Sequence, residues 1–106
     1  MKVQYYVTAD GKEPFPKWLD RLSDKKARAA ILKRIARIQL GLFGDAKSLG
    51  DGVYEIRVDV SGGYRVYYAR SGSEIILLLC GGDKASQTAD IAKAKAYWTD
   101  YKEANK

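Results

Sequence analysis

VYEIRVDVSGGYRVYYAR, residues Val53 to Arg70, alternates apolar and polar side chains on either side of a Ser-Gly-Gly break. Strict alternation marks a half-buried strand, and a short glycine-bearing break between two such runs marks a hairpin. Sorting the side chains by face sets the expected register. A two-residue turn at Ser61-Gly62 puts Asp59 opposite Tyr64, and one at Gly62-Gly63 puts Val60 opposite Arg65. Both choices mix charged and apolar groups on one face. A three-residue turn, Ser61-Gly62-Gly63, pairs Val60 with Tyr64 and gathers Tyr54, Ile56, Val58, Tyr64, Val66 and Tyr68 on one side. The other side then carries Glu55, Arg57, Asp59, Arg65 and Tyr67.

Working outward, EIILLLC (Glu74–Cys80) follows a short SGS link and is apolar on both faces. It reads as an antiparallel neighbour and an interior strand covered on both sides. Asp83 or Ser86 then opens a last helix with Ile91, Ala94, Trp98 and Tyr101 on one stripe, ending in a frayed KEANK tail. Upstream, FGDAKSLGDG reads as a loop. Before it, DKKARAAILKRIARIQL has Ala27, Ala30, Ile31, Ile35 and Ile38 at helical spacing, a cap at Ser23 and a stop at Gly41. Arg34 falls near that stripe and must snorkel outward. PFPKWLDRL makes a short helix with a proline in its first turn, and KVQYYVT a first strand. The two helices meet at Ser23 and are expected to form a helical hairpin. The fold class is α+β, order β-α-α-β-β-β-α, an antiparallel hairpin sheet packed against helices in one domain over residues 1–106.

Composition narrows the chemistry. The chain has 106 residues and a net charge of +6, with no histidine and one cysteine. Without histidine the most common general base is missing, no ordinary metal cluster is expected, and the reading calls for no cofactor. The lone Cys80 forms no intrachain disulfide, which suits the cytoplasm, and sits in an apolar run as a buried, inert thiol. No apolar run is long enough to span a bilayer, and MKVQYYVTADGKEP does not read as a signal peptide. The basic balance suits a nucleic-acid or ribosomal partner and equally a domain that is simply soluble.

The charged hairpin face has two readings. One is a solvated outer surface whose cross-strand ion pairs are each worth roughly 0.2–1 kcal/mol. The other is a phosphate site, with Lys47 from the preceding loop and Lys84 from CGGDK at its edges. GGDK lacks the spacing of a phosphate-binding P-loop. Gly81-Gly82 allow either close approach of a ligand or a turn into the helix. Lys33 and Arg37, on one flank of the long helix, are a solvated surface or a further RNA contact.

The element order, VYEIRVDVSGGYRVYYAR and LLCGGDKASQTADI together resemble the RelE/ParE toxin superfamily, most of all its HigB-type branch, the addiction module killer proteins. The most specific pieces are the Gly-Tyr-Arg of Gly63–Arg65 and the G-G-D-K-x-x-Q-x-x-D-I of Gly81–Ile91, with the loop GLFGDAKSLGDGVYEIR beside them. The likeness runs from the first strand to the last helix. It implies a toxin of a type II toxin–antitoxin module with a helix-turn-helix antitoxin as partner. Many such toxins enter the ribosomal A site and cut mRNA, whereas others poison DNA gyrase. Arg65 matches the arginine of the Gly-Tyr-Arg, and Arg57, Lys84 and Lys47 match basic positions. Glu55 stands where some relatives have another basic residue. No tyrosine lies near Asp90 and Ile91, where some relatives place a catalytic one.

Cutting RNA through its own 2′-hydroxyl needs a base, cations on the pentavalent phosphate and an acid for the leaving oxygen. Arg57 and Arg65 suit the second role, because guanidinium forks match phosphate oxygens. Lys84 or Lys47 can exchange protons if neighbouring cations lower their pKa. Glu55 and Asp83 are the alternative bases, and Tyr67 stacks on a base or donates a proton. The expected function is a ribosome-dependent mRNA endoribonuclease acting on ribosome and mRNA. The alternatives are a gyrase poison without nuclease chemistry and a non-catalytic RNA-binding domain.

Overall fold

A computed structural model describes residues Met1–Lys106. The elements are β1 (Lys2–Tyr5), α1 (Pro14–Arg21), α2 (Lys25–Gln39), β2 (Ala46–Ser48), β3 (Val53–Val58), β4 (Tyr64–Ser71), β5 (Ile75–Asp83) and α3 (Gln87–Ala104). Five strands make one sheet in the order β1-β5-β4-β3-β2. β2 to β5 pair antiparallel, and β1 runs parallel to β5. The expected α+β order holds with one added strand. Ala46–Ser48, read as loop, pairs with Tyr54–Ile56. Three exposed residues offer no alternation by which to recognise a strand.

The hairpin turn is longer than expected. Val58, not Val60, lies opposite Tyr64, so Asp59–Gly63 form the loop. Ser61, Gly62 and Gly63 all take positive φ (50°, 91° and 97°). Val60, freed from pairing, packs against the core instead. A shift of two residues leaves every side chain on its expected face, because the strand repeat is also two.

The two faces are both covered. On one, Ile56, Val58, Val66, Tyr68, Ile76 and Leu78 meet Phe15 and Leu19 of α1 and Ile31, Ile35 and Ile38 of α2. α1 lies mainly on β5, and α2 on β1 and β3, so each helix is held chiefly by the sheet rather than paired in the expected hairpin. Asp24, not Ser23, caps α2, its Oδ1 accepting from the Ala27 N–H at 2.9 Å. Arg34 is half-buried, and its guanidinium donates to the Arg57 and Phe43 carbonyls at 2.7 and 2.9 Å.

The second face corrects the expectation of a solvated surface. Val53, Tyr67, Ala69, Leu77, Leu79 and Cys80 are buried there with Tyr6 and with Ala94 of α3. The face changes character along its length. Val53 pairs with Ala69, Glu55 with Tyr67, and Arg57 with Arg65. α3 therefore covers the apolar end, its first turn reaches Glu55 beside the buried Arg65, and Arg57 is left exposed. The helix also extends to Ala104, so most of the supposed frayed tail is helical. No helix is long and apolar enough to cross a membrane.

A bulge in β5 tunes this packing. Tyr67 opposes Cys80 while Tyr68 opposes Leu78, leaving Leu79 as the extra residue. Leu79 and Cys80 then both face α3. Gly81 and Gly82 are strand residues, not a turn, and each is glycine for lack of room. A Cβ on Gly81 would enter the Trp18 ring, and one on Gly82 would enter the Asp90 carboxylate.

Candidate functional site

The candidate residues divide into a buried cluster, an open rim and a distant helix. The cluster lies under the start of α3. Glu55 and Arg65 are 2% and 8% exposed, and their Oε1 and Nε lie 3.4 Å apart. Gln87, in the first turn of α3, donates from Nε2 to the same Glu55 oxygen at 2.8 Å. Arg65 Nε makes no hydrogen bond of good geometry. Its Nη1 lies toward the hairpin loop, 4.0 Å from where a Cβ on Gly63 would sit. Glu55 is thus an internal carboxylate that orients Arg65, and it does not offer a free oxygen at the surface.

Tyr67 is fully buried, and its hydroxyl has no hydrogen-bond partner. Burial, reinforced by the nearby Glu55 and Asp90 carboxylates, raises its pKa well above the usual phenol value. The expectation that its ring stacks on a base is not met in this arrangement, because α3 occupies the space above it. Cys80 next to it is inert as expected. Burial pushes its thiol up to about 12, and its Sγ points to the Asp90 carbonyl at 3.7 Å.

The rim is exposed. Arg57 stands directly across from Arg65, and its Nε is 3.5 Å from Asp45 Oδ2. Lys47 is opposite Glu55 on β2, and Lys84 follows the end of β5; both are exposed. Asp83 is spent on the entry to α3, accepting at Oδ1 from the Ser86 N–H at 3.0 Å. The molecule therefore presents cations at the end of the sheet that α3 leaves open. Like charges placed directly across two strands oppose folding. Here one carboxylate attends each guanidinium.

Lys33 and Arg37 do not join this group. They are exposed on α2, which packs on the opposite face of the sheet. Two polar residues of the cluster, Gln87 and Asp90, were not among the expected site residues. Both lie within the G-G-D-K-x-x-Q-x-x-D-I stretch. What hid them is that α3 places them over the hairpin, a contact that local pattern does not encode.

Comparison with known proteins agrees with this picture in breadth. Residues 17–105 match the family described as phage derived protein Gp49-like. An uncharacterized protein of Haemophilus influenzae (strain ATCC 51907 / DSM 11121 / KW20 / Rd) is 48% identical over 81 residues, covering 76% of this chain and 82% of that protein. With a match across all but the first strand and the start of α1, the chain belongs to the Gp49-like family, a family of toxin–antitoxin toxins of RelE-like type.

Proposed function

We infer that this toxin is a HigB-type, ribosome-dependent mRNA endoribonuclease that acts in the cytoplasm as one domain and is held inactive by a helix-turn-helix antitoxin. The observation that carries the reading is the placement of Arg57 opposite Arg65 at the open end of the sheet. Such a pair is costly to fold and useful for a phosphate.

In this reading Arg57 exchanges Asp45 for a phosphate oxygen, since both partners of that pair are about half exposed. Arg65, anchored by Glu55, holds a second oxygen with its outward Nη groups as negative charge develops. Lys47 and Lys84 flank the strand and are the groups available for proton exchange. The attacking 2′-oxygen loses its proton and bonds to phosphorus. The 5′-oxygen of the next nucleotide leaves and takes up a proton, giving a 2′,3′-cyclic phosphate and a 5′-hydroxyl. The buried carboxylate and phenol suit neither proton transfer. The ribosome is accordingly assigned the orientation of the mRNA and part of the acid–base work.

Induction without antitoxin, followed by mapping of mRNA 5′ ends, tests this. Cuts inside translated codons are expected, and they should vanish with Arg57→Ala. Growth arrest with intact mRNA and broken DNA would assign the toxin to gyrase instead. Absence of growth arrest would leave only a binding domain.

A further inference from the structure

The buried pair of Glu55 and Arg65 is bonded in an uneven way. The two are diagonal neighbours on one face of the hairpin, since Glu55 lies opposite Tyr67 and Arg65 comes two residues earlier on the same strand. A carboxylate and a guanidinium placed like this ordinarily close into two parallel N–H···O bonds. Here they meet only through Oε1 and Nε at 3.4 Å, in a geometry that leaves Nε without a hydrogen bond. The hydrogen bond that the Glu55 carboxylate does accept comes from Gln87 Nε2, to the same Oε1 at 2.8 Å. Of the guanidinium nitrogens only Nε is both sealed from solvent and unbonded, so the two Nη groups are the accessible end of the fork.

We propose that Gln87 is a positioning residue: by holding the Glu55 carboxylate, it keeps the Arg65 fork free for an RNA phosphate. The inference rests on the phosphate role given to Arg65 above and adds the residue that makes that role possible. A buried guanidinium needs a carboxylate nearby, because an unpaired charge at that depth is strongly destabilising. A carboxylate that pairs fully, however, competes with the phosphate. A side-on pair takes Nε and one Nη, and with them one prong of the fork that a phosphate would use. An oxygen already accepting from Gln87 is held off that geometry. It still lends Arg65 its negative charge at close range. An amide suits this task because it is neutral. A lysine there would take Glu55 away from Arg65, and a second carboxylate would itself capture the guanidinium. The placement is rigid on both sides. Glu55 and Arg65 project from paired strands, and Gln87 stands at the start of α3, where the Asp90 N–H donates to the Ser86 carbonyl at 2.9 Å and closes the first turn.

The test uses the full chain and Gln87→Met, which keeps the length of the side chain and removes the donor. Affinity for a labelled single-stranded oligoribonucleotide should fall about tenfold, for one lost charge-assisted contact. Its salt slope should flatten by about 0.7 as Glu55 neutralises Arg65. The urea midpoint should hold, because a Glu55–Arg65 bond replaces the one removed. In a Glu55→Gln background the same substitution should change neither affinity nor slope, since no carboxylate is left to capture the guanidinium. The unaltered chain gives a reading that stands if Gln87→Met fails to fold. In its NMR spectra the Arg65 Nη–H signals should shift as the oligonucleotide is added, while the Gln87 side-chain amide stays in place. Unchanged affinity in Gln87→Met, a loss of affinity matched by a lower urea midpoint, an equal loss in both backgrounds, or Nη–H signals that ignore the RNA would overturn the proposal. Ribosomal mRNA cutting that Gln87→Met retains in full would overturn it while leaving the nuclease reading intact. Weaker oligonucleotide binding by Gln87→Met, with no mRNA cut by the unaltered chain, would support the positioning role and sink the nuclease.

Discussion

Arg65 is a charged residue in an apolar strand, and its surroundings decide which experiments on it can be interpreted. Because Glu55 is nearly inaccessible and paired with it, removing the guanidinium strands a buried carboxylate. Arg65→Ala should therefore destabilise the fold by about 3 kcal/mol, the lower range for breaking a buried pair, and the double variant Glu55→Ala/Arg65→Ala by less than the sum of the single ones. Urea titration of the three variants checks this. Loss of toxicity in Arg65→Ala alone says little, whereas Arg57→Ala, half exposed and paired only with exposed Asp45, should keep its urea midpoint and lose cutting. Cys80 gives a second outcome at this scale. Its thiol is shifted from the ordinary 9.0 to about 12 by burial, so the native state resists ionisation that the unfolded chain accepts. The stability this group lends is whole below pH 9.0 and is lost as pH rises toward 12. The phenol of Tyr67 is shifted the same way and adds to the loss. The urea midpoint should fall as pH rises from 9.0 toward about 12, and less steeply in Cys80→Ala.

Among the elements, what could be read in the sequence was whatever a local period encodes. The stripe of Ala27, Ile31, Ile35 and Ile38 is buried as the 3.6-residue spacing requires. The sorting of the hairpin into an apolar and a charged side survives even though the loop is two residues longer than expected, since an even slip preserves faces. The covering of the charged side by α3 was not legible. Ile91, Ala94, Trp98 and Tyr101 announce a buried stripe but do not say against which face it docks. Nor was the bulge at Leu79, which alone turns Gly81 to α1 and Gly82 to α3. The two glycines then carry a prediction. A methyl on Gly81 must displace the Trp18 ring, which also packs on Phe15 and Tyr64. Gly81→Ala should cost about 1–3 kcal/mol, the usual range for overpacking. Thermal unfolding reads the loss. Gly62→Ala, with nothing near its Cβ but a φ of 91°, should cost less and act through backbone strain alone.

The whole molecule distributes its +6 charge on two separate surfaces. One is the rim of Lys47, Arg57 and Lys84 with Arg65 behind it. The other is α2, whose sequence KKARAAILKRIARIQ contains six cations and no acid. The sheet lies between them, so a short RNA strand on one surface does not reach the other. A ribosome surrounds its ligand with RNA and can engage both. The two surfaces should accordingly separate by substrate. For a short single strand, counterion release predicts a slope of log K against log salt near −0.7 per phosphate contacted, so the four rim cations give roughly −3 and Arg57→Ala removes about 0.7 of that. Fluorescence anisotropy of a labelled oligonucleotide across a potassium chloride series measures both. Lys33→Glu/Arg37→Glu should leave that slope unchanged. The same pair should weaken cutting of mRNA on ribosomes, most at low salt, because at higher salt the long-range attraction it removes is already screened. If the α2 variants instead flatten the slope for the short strand, RNA lies along α2 and the rim is not the primary phosphate site.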